Sequence, residues 1–312
     1  MPGNQGKDVT KSQFFKNARV YRLGQLDPAI KHRISDALEP RRFQEGNNLE
    51  MQSIGWVPPY EGDDSLVRIV GDAVLLTLRA SAKLLPPKVV NQVTKERAAK
   101  IEEQQGYKPG RKQMKEIKEA VTDELLPKAF NVSRDTRVLF LLDRGLLLID
   151  TATSARADEV IGMLAKAFDP FPLENLYVAQ SPAAAMTGWL AEDEAPANFT
   201  IDQDTELRSS GASGAAIRYV KHSIDADDVR RHIQSGKQAT RLALTWADRI
   251  SFVLTEGLDI KRIAPLDVLK EGNGEIAQND HERQDADLAL FSMEFGKLMA
   301  ELIDALGGEK RV

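Results

Sequence analysis

The sequence predicts an α+β fold of mostly antiparallel sheets with flanking helices and a projecting helical hairpin. Three observations point there: strand pairs that turn on short Gly- and Asp-containing loops and run into helices, a helical stretch broken in two between residues 86 and 126, and a long amphipathic helix near the C-terminus. No regular strand–helix alternation calls for a parallel sheet, and no repeat of fixed period runs through the chain.

The first expected strand is Phe14–Leu23 (FFKNARVYRL), followed by a helix with Asp27 as N-cap and Pro28 at its first position, closed by Pro40. Met51–Pro59 is a short strand-like segment ended by a Pro-Pro pair, and Val67–Ala80 reads as two strands hinged at Gly71-Asp72. From Pro86 to Leu126 the period becomes helical, with a break at Gly106–Gly110 where Pro109 and two glycines oppose continuation. The second of these helices carries Met114, Ile117, Val121 and Leu125 at steps of three and four. So narrow a stripe suits one packing partner, so the pair should project as an arm.

Strands resume over Arg137–Asp150 with Asp143-Arg144-Gly145 as the turn, and Ser154 is expected to cap a helix reaching Phe168. Beyond a stretch punctuated by Pro and Gly (171–188), strand patterns occur near Ala215–Lys221, Ala239–Trp246, Arg249–Thr255 and Asp259–Ile263, with a helix capped by Asp225 after the first. The last helix bears Leu288, Phe291, Phe295, Leu298, Leu302 and Leu306 and stops at Gly307-Gly308.

With 312 residues, two or three structural units are expected; 42% hydrophobic and 29% charged residues are ordinary for a folded globular chain. The absence of cysteine excludes disulfides, thiolate metal sites and cysteine nucleophiles. A polar N-terminus and short apolar runs predict a cytoplasmic protein without a membrane span.

A net charge of −5 argues at first against a polyanionic partner, but its distribution is uneven. Lys83 to Lys128 holds eleven basic residues against seven acidic ones, a balance of +4 that leaves −9 for the rest. Before residue 35, Lys7, Lys11, Lys16, Arg19, Arg22, Lys31 and Arg33 outnumber Asp8 and Asp27. Such segregation suits one surface facing a polyanion and another facing solvent.

Catalytic motifs are weak. Gly272-Asn273-Gly274-Glu275-Ile276-Ala277 fits G-x-G-x-x-A but lacks the preceding strand, and is read as a loop. Ser235-Gly236-Lys237 resembles the end of a phosphate loop, yet Arg231 stands where its first glycine belongs, so a helix end is expected. Gly211-Ala212-Ser213-Gly214 lacks nucleophile-elbow spacing. Asp280, Glu282, Asp285 and Asp287 could hold a hard cation for a metal-dependent nucleic-acid-processing enzyme, the alternative function considered. Their place ahead of a long helix favours a dipole role. His32, His222, His232 and His281 show no ligand spacing. No catalytic residue, metal ligand or cofactor is assigned.

Several segments together resemble the RdgC family of recombination-associated proteins: Phe15-Lys16-Asn17 with Val20-Tyr21-Arg22-Leu23, Gly55-Trp56-Val57-Pro58-Pro59, Leu84-Leu85-Pro86, Leu125-Leu126-Pro127-Lys128-Ala129-Phe130, Trp246 with Arg249-Ile250, and Leu306-Gly307-Gly308-Glu309. They occur in family order from about residue 14 to the end, leaving the polar residues before them outside the pattern. The resemblance implies a non-catalytic protein that binds single- and double-stranded DNA without sequence preference, encircles it as a ring-shaped homodimer, and antagonises the RecA recombinase in the nucleoid. It implies three parts: a centre (14–82 and 130–190), a helical tip (83–129) and a base (191–312). The family places a phenylalanine across the tip-to-tip gate, a role carried to Phe130. The candidate DNA contacts are Lys83, Lys88, Lys95, Lys100, Lys108, Arg111, Lys112 and Lys115 on the arm, with Arg218, Lys221 and His222 at a strand end where the family has basic or amide residues. At His222 the histidine departs from that pattern, and a contact there should weaken as pH rises past the imidazole range.

Overall fold

The computed structural model describes residues 14–24, 30–47, 50–209, 214–220, 226–270 and 279–310. In chain order these form β1 (Asn17–Leu23), α1 (Ile30–Leu38), β2 (Gln52–Val57), β3 (Arg68–Val70), β4 (Ala73–Lys83), the arm helices α2 (Pro87–Gln105) and α3 (Arg111–Leu125), β5 (Asn131–Leu141), β6 (Leu146–Ile149), α4 (Ser154–Ala167) and β7 (Leu173–Asn175). Then come α5 (Pro182–Glu192), β8 (Phe199–Ser209), β9 (Ala216–Tyr219), α6 (Ala226–Gln234), β10 (Lys237–Trp246), β11 (Ile250–Thr255), β12 (Ile260–Pro265), α7 (Asp267–Lys270) and α8 (Asp280–Ala305). This is the predicted α+β class.

The strands form one sheet in the order β2-β4-β5-β6-β1-β12-β11-β10-β8-β9, with β3 beside β4 and β7 beside β1. Its ladders are antiparallel, as hairpin connections require. β1 joins the halves: Arg19–Arg22 pair with Ile149–Leu146 of β6, while Asn17 and Ala18 pair with Lys261 and Ile260 of β12.

Two-residue alternation sorts the first half-sheet's side chains onto two cores. Val74, Leu76, Leu78, Val138, Phe140, Leu147 and Ile149 pack with Ile34 and Leu38 of α1 and Val160 and Leu164 of α4. Leu75, Leu139, Leu141, Leu146 and Leu148 belong to a second core, which continues under the other half-sheet through Leu242, Leu244, Phe252 and Leu254 and holds α8 through Leu288, Phe291, Phe295, Leu298, Met299 and Leu302. Phe291 is its aromatic centre, 5.2 Å from the rings of Phe14, Phe15 and Phe295.

Several elements differ from expectation. β5 begins at Asn131, six residues before the predicted start, because its polar NVSRDT lead-in stays paired with β4 out to Lys83–Asn131. α4 is capped by Thr153, and Ser154 is its first helical residue; the Thr153 N–H is taken by the Thr151 hydroxyl at 3.2 Å. From within the stretch punctuated by Pro and Gly, to which no element was assigned, rises α5, opened by Ser181, whose hydroxyl accepts from the Ala184 N–H at 3.3 Å, with Pro182 in the first turn. β8 was also missed: its outward Asp, Gln and Arg residues hide a strand paired along much of β10. The Asp27-Pro28 and Asp225 helix starts, the Gly272–Ala277 motif and residues 211–213 lie outside the described residues. Among those described, no helix is long and apolar enough to cross a membrane.

Candidate nucleic-acid interface

β4 and β5 pair along their full length, so the chain between them leaves and returns at one point, Leu84 and Phe130, where the Leu84 N–H donates to the Phe130 carbonyl at 2.7 Å. That excursion is the arm. Its own small core consists of Val90 and Ala98 of α2 and Ile117 and Val121 of α3, flanked by half-buried Leu85, Val93, Ile101, Met114 and Leu125. Gly106, at φ +80°, ends α2 in the left-handed region, where other residues would be strained, and its N–H donates to the Glu102 carbonyl at 2.8 Å.

Because the buried stripe is narrow, the charged positions stay outside. Lys88, Lys95, Lys100, Lys108, Arg111, Lys112 and Lys115 are all exposed, and Lys83 is half-buried with its ammonium 3.5 Å from the Ala129 carbonyl. Lys115 lies 3.6 Å from Glu119, an exposed contact of little energetic weight. Arg97 and Lys128 share Glu124, and the Arg97 hydrogen bond, chiefly, holds that carboxyl below the usual carboxylate range. Lys88, Lys95, Lys100, Lys108, Arg111 and Lys112 form no ion pair among the described residues.

The second candidate group is arranged differently. Lys221 and His222 lie outside the described residues, and Arg218 on β9 is committed to a carboxylate. Its Nε donates to Glu206 Oε2 at 2.9 Å, and a second guanidinium nitrogen joins it. Arg208 reaches the other carboxylate oxygen at 3.2 Å, and the Thr240 hydroxyl donates there at 3.2 Å. Glu206 is 3% exposed, and its pKa is lowered first by the Arg218 hydrogen bond, against the opposing effect of burial. Arg241 stands opposite Glu206 in the ladder, so three guanidiniums gather around one carboxylate. Arg208 and Arg241 were not singled out from sequence, because their meeting at Glu206 depends on which residues the β8–β10 ladder sets side by side.

Phe130 is 81% exposed, with Leu84 (57%) beside it and Val132 (53%) two residues on, an apolar patch at the arm's root.

The acidic group lies within the last helix, which begins at Asp280, and not ahead of it as expected, and it serves the fold. The Asn279 side chain caps α8, accepting the Glu282 N–H at 2.8 Å, and Asp280 and Glu282 occupy the first turn, where the helix dipole favours them. Asp285 takes both ends of the Arg68 guanidinium fork, one contact being Nε to Oδ1 at 2.8 Å. The buried Tyr60 hydroxyl is nearby, and burial, aided by Asp285, pushes its pKa well above the usual phenol value. His281 Nδ1 lies 3.6 Å from Asp63. Among the described residues no three metal-capable side chains converge. Gly236, at φ +84°, ends α6, so Ser235-Gly236-Lys237 is the expected helix end.

A family model described as "Putative exonuclease, RdgC" matches residues 13–309. Proteins named "Recombination-associated protein RdgC" are similar over nearly the full chain. The one from Bordetella parapertussis is 66% identical over 299 residues, covering 96% of this chain and 100% of its own. That from Janthinobacterium sp. (strain Marseille) is 55% identical (95% and 98% covered), and that from Burkholderia ambifaria 52% (95% and 97%).

Proposed function

We propose, from the premise that this chain belongs to the RdgC family of recombination-associated proteins, that it is a sequence-independent DNA-binding protein and not an enzyme. It holds duplex and single strand through phosphate contacts, closes around them as a ring-shaped homodimer in the nucleoid, and restrains RecA by occupying its DNA. In this reading residues 83–129 are the tip, 14–82 with 130–190 the centre, and 191–312 the base.

The observation that carries it is the set of exposed cations on the arm that form no ion pair among the described residues, in a chain whose net charge is −5. Most arginines of the body are matched to carboxylates, as in Arg68–Asp285, Arg79–Asp135 and Arg137–Asp150. Cations without internal partners are the groups that exchange counterions for phosphates. They carry no base information, so sequence preference should be slight. Phe130 supports the ring: an aromatic side chain left so exposed beside Leu84 and Val132 suits a self-complementary contact about a two-fold axis.

The test is anisotropy of labelled random duplex and single strand at 50 and 200 mM salt, beside the sedimentation mass. If about six to ten phosphates are neutralised, affinity falls by roughly three to five decades across that range. Phe130→Ser should lower the dimer fraction without unfolding the protein. Absence of binding at low salt would overturn the DNA reading, and an unchanged dimer would remove Phe130 from the gate. The words "Putative exonuclease" in the family description make a nuclease the reading to exclude. Labelled ends incubated with Mg²⁺ or Mn²⁺ should stay intact; product formation that Asp285→Ala abolishes would establish the enzyme instead.

A further inference from the structure

The loop joining the arm helices presents a tyrosine the family resemblance left without a role. Tyr107 is 65% exposed as a residue, although tyrosine rings ordinarily bury much of their apolar body. Its backbone is pinned on both sides. Gly106 caps α2, the Gln105 side-chain amide donates to the Tyr107 carbonyl at 2.9 Å and accepts from Gln113 at 3.3 Å, and Pro109 leads into α3. The ring is therefore displayed from a fixed support, and binding through it costs little loop ordering.

Its surroundings are cationic. From Gln104 to Lys115 the chain carries Lys108, Arg111, Lys112 and Lys115 and no carboxylate; Glu102 and Glu103 precede this run and Glu116 follows it. Arg111 and Lys112 occupy the first turn of α3, whose N-cap is Gly110 and which has no acidic residue there. Cations on a first turn oppose the helix dipole, so this placement does not serve the helix itself. At 1.5 Å per residue, α2 carries the loop about 28 Å from the root, well away from Phe130.

We infer that Tyr107 is a stacking platform for an unpaired base, with Lys108, Arg111 and Lys112 holding the flanking phosphates. An aromatic face among cations is the arrangement that binds single strands without sequence preference. A duplex offers the cations its phosphates but keeps its base faces stacked inside, so the ring should discriminate strand state while the charges do not. The inference rests on the DNA-binding reading and adds to it a residue that prefers single-stranded or locally opened DNA.

The test measures Kd for an oligo(dT) strand and for a random duplex of equal length, with wild type, Tyr107→Ala, Tyr107→Phe and the charge reversal Arg111→Glu/Lys112→Glu. Tyr107→Ala should weaken single-strand binding about tenfold and duplex binding less than twofold. Tyr107→Phe, which keeps the stacking face, should bind like wild type, and the charge reversal should weaken both ligands. At protein concentrations that saturate the strand for every variant, a 2-aminopurine placed in it should lose its fluorescence change with Tyr107→Ala and keep it with Tyr107→Phe and with the charge reversal. If Tyr107→Ala leaves both affinities intact, or lowers both equally, while the charge reversal still weakens binding, the stacking role is overturned and the DNA reading stands. If wild type binds neither ligand, the DNA reading itself has failed.

Discussion

The arm and the last helix are both long helical elements rich in charge, and they use it in opposite ways. α8 buries Leu288, Phe291, Phe295, Leu298, Met299 and Leu302, and its carboxylates point at named partners: Asp285 at Arg68, Glu294 at Arg249 (2.9 Å), and Glu301 at the Trp246 indole N–H (2.7 Å). It is strapped to the first half-sheet near its start and to the second near its end. α2 and α3 bury only a few small or medium side chains against each other and leave most cations facing water. Much of the charge in the body is used in docking, whereas the arm cations that form no ion pair among the described residues remain available to something outside the molecule.

The largest contrast should come from emptying each core. Phe291→Ala removes the ring shared by Phe14, Phe15 and Phe295 and should cost about 3–5 kcal/mol in a urea titration. Val121→Ala, in the arm, should leave the main transition almost in place and instead speed amide exchange within 87–125, because only the arm's own core is touched. Equal losses of global stability would show that arm and body fold as one unit. Next in size, replacing Lys108, Arg111 and Lys112 together by Ala should lower the slope of log affinity against log salt by about 2.7 if each meets one phosphate of a duplex. Melting should be unchanged, since none of the three forms an ion pair among the described residues. An unaltered slope would mean that phosphates are held elsewhere.

Much of this contrast was legible in the sequence. The narrow stripe Met114, Ile117, Val121, Leu125 foretold an arm with one packing partner, and the heptad-like run from Leu288 to Leu306 foretold a buried last helix. Local charge counting found the arm's cations because helix surfaces expose whatever the stripe does not use. It failed on the second half-sheet, where β8 hides its strand period behind outward polar residues and its pairing with β10 is interrupted by register shifts. Pairing across sequence distance also decides which cations are free. Arg218 looks like Lys112 in a one-dimensional reading, and only the ladder that sets Glu206 opposite it reveals that its charge is already answered.

That difference is measurable at the Glu206 cluster, where the smallest effect is expected. Glu206 has its pKa lowered in the folded protein, chiefly by the Arg218 hydrogen bond, so the native state favours the ionised form. A depressed carboxyl adds stability that is complete above the unfolded value of about 4.3 and is lost as pH falls through the lower folded value. Glu206→Gln should therefore cost about 1–2 kcal/mol at pH 7, the two arginines being more than half exposed, and progressively less below pH 4. The same substitution releases two guanidiniums from their carboxylate. If the second half-sheet takes part in holding DNA, affinity and salt slope should rise together in the variant; if the arm alone does, neither should move. A destabilisation that persisted unchanged to pH 3 would show that packing around residue 206, and not its ionised carboxylate, holds β8, β9 and β10 together.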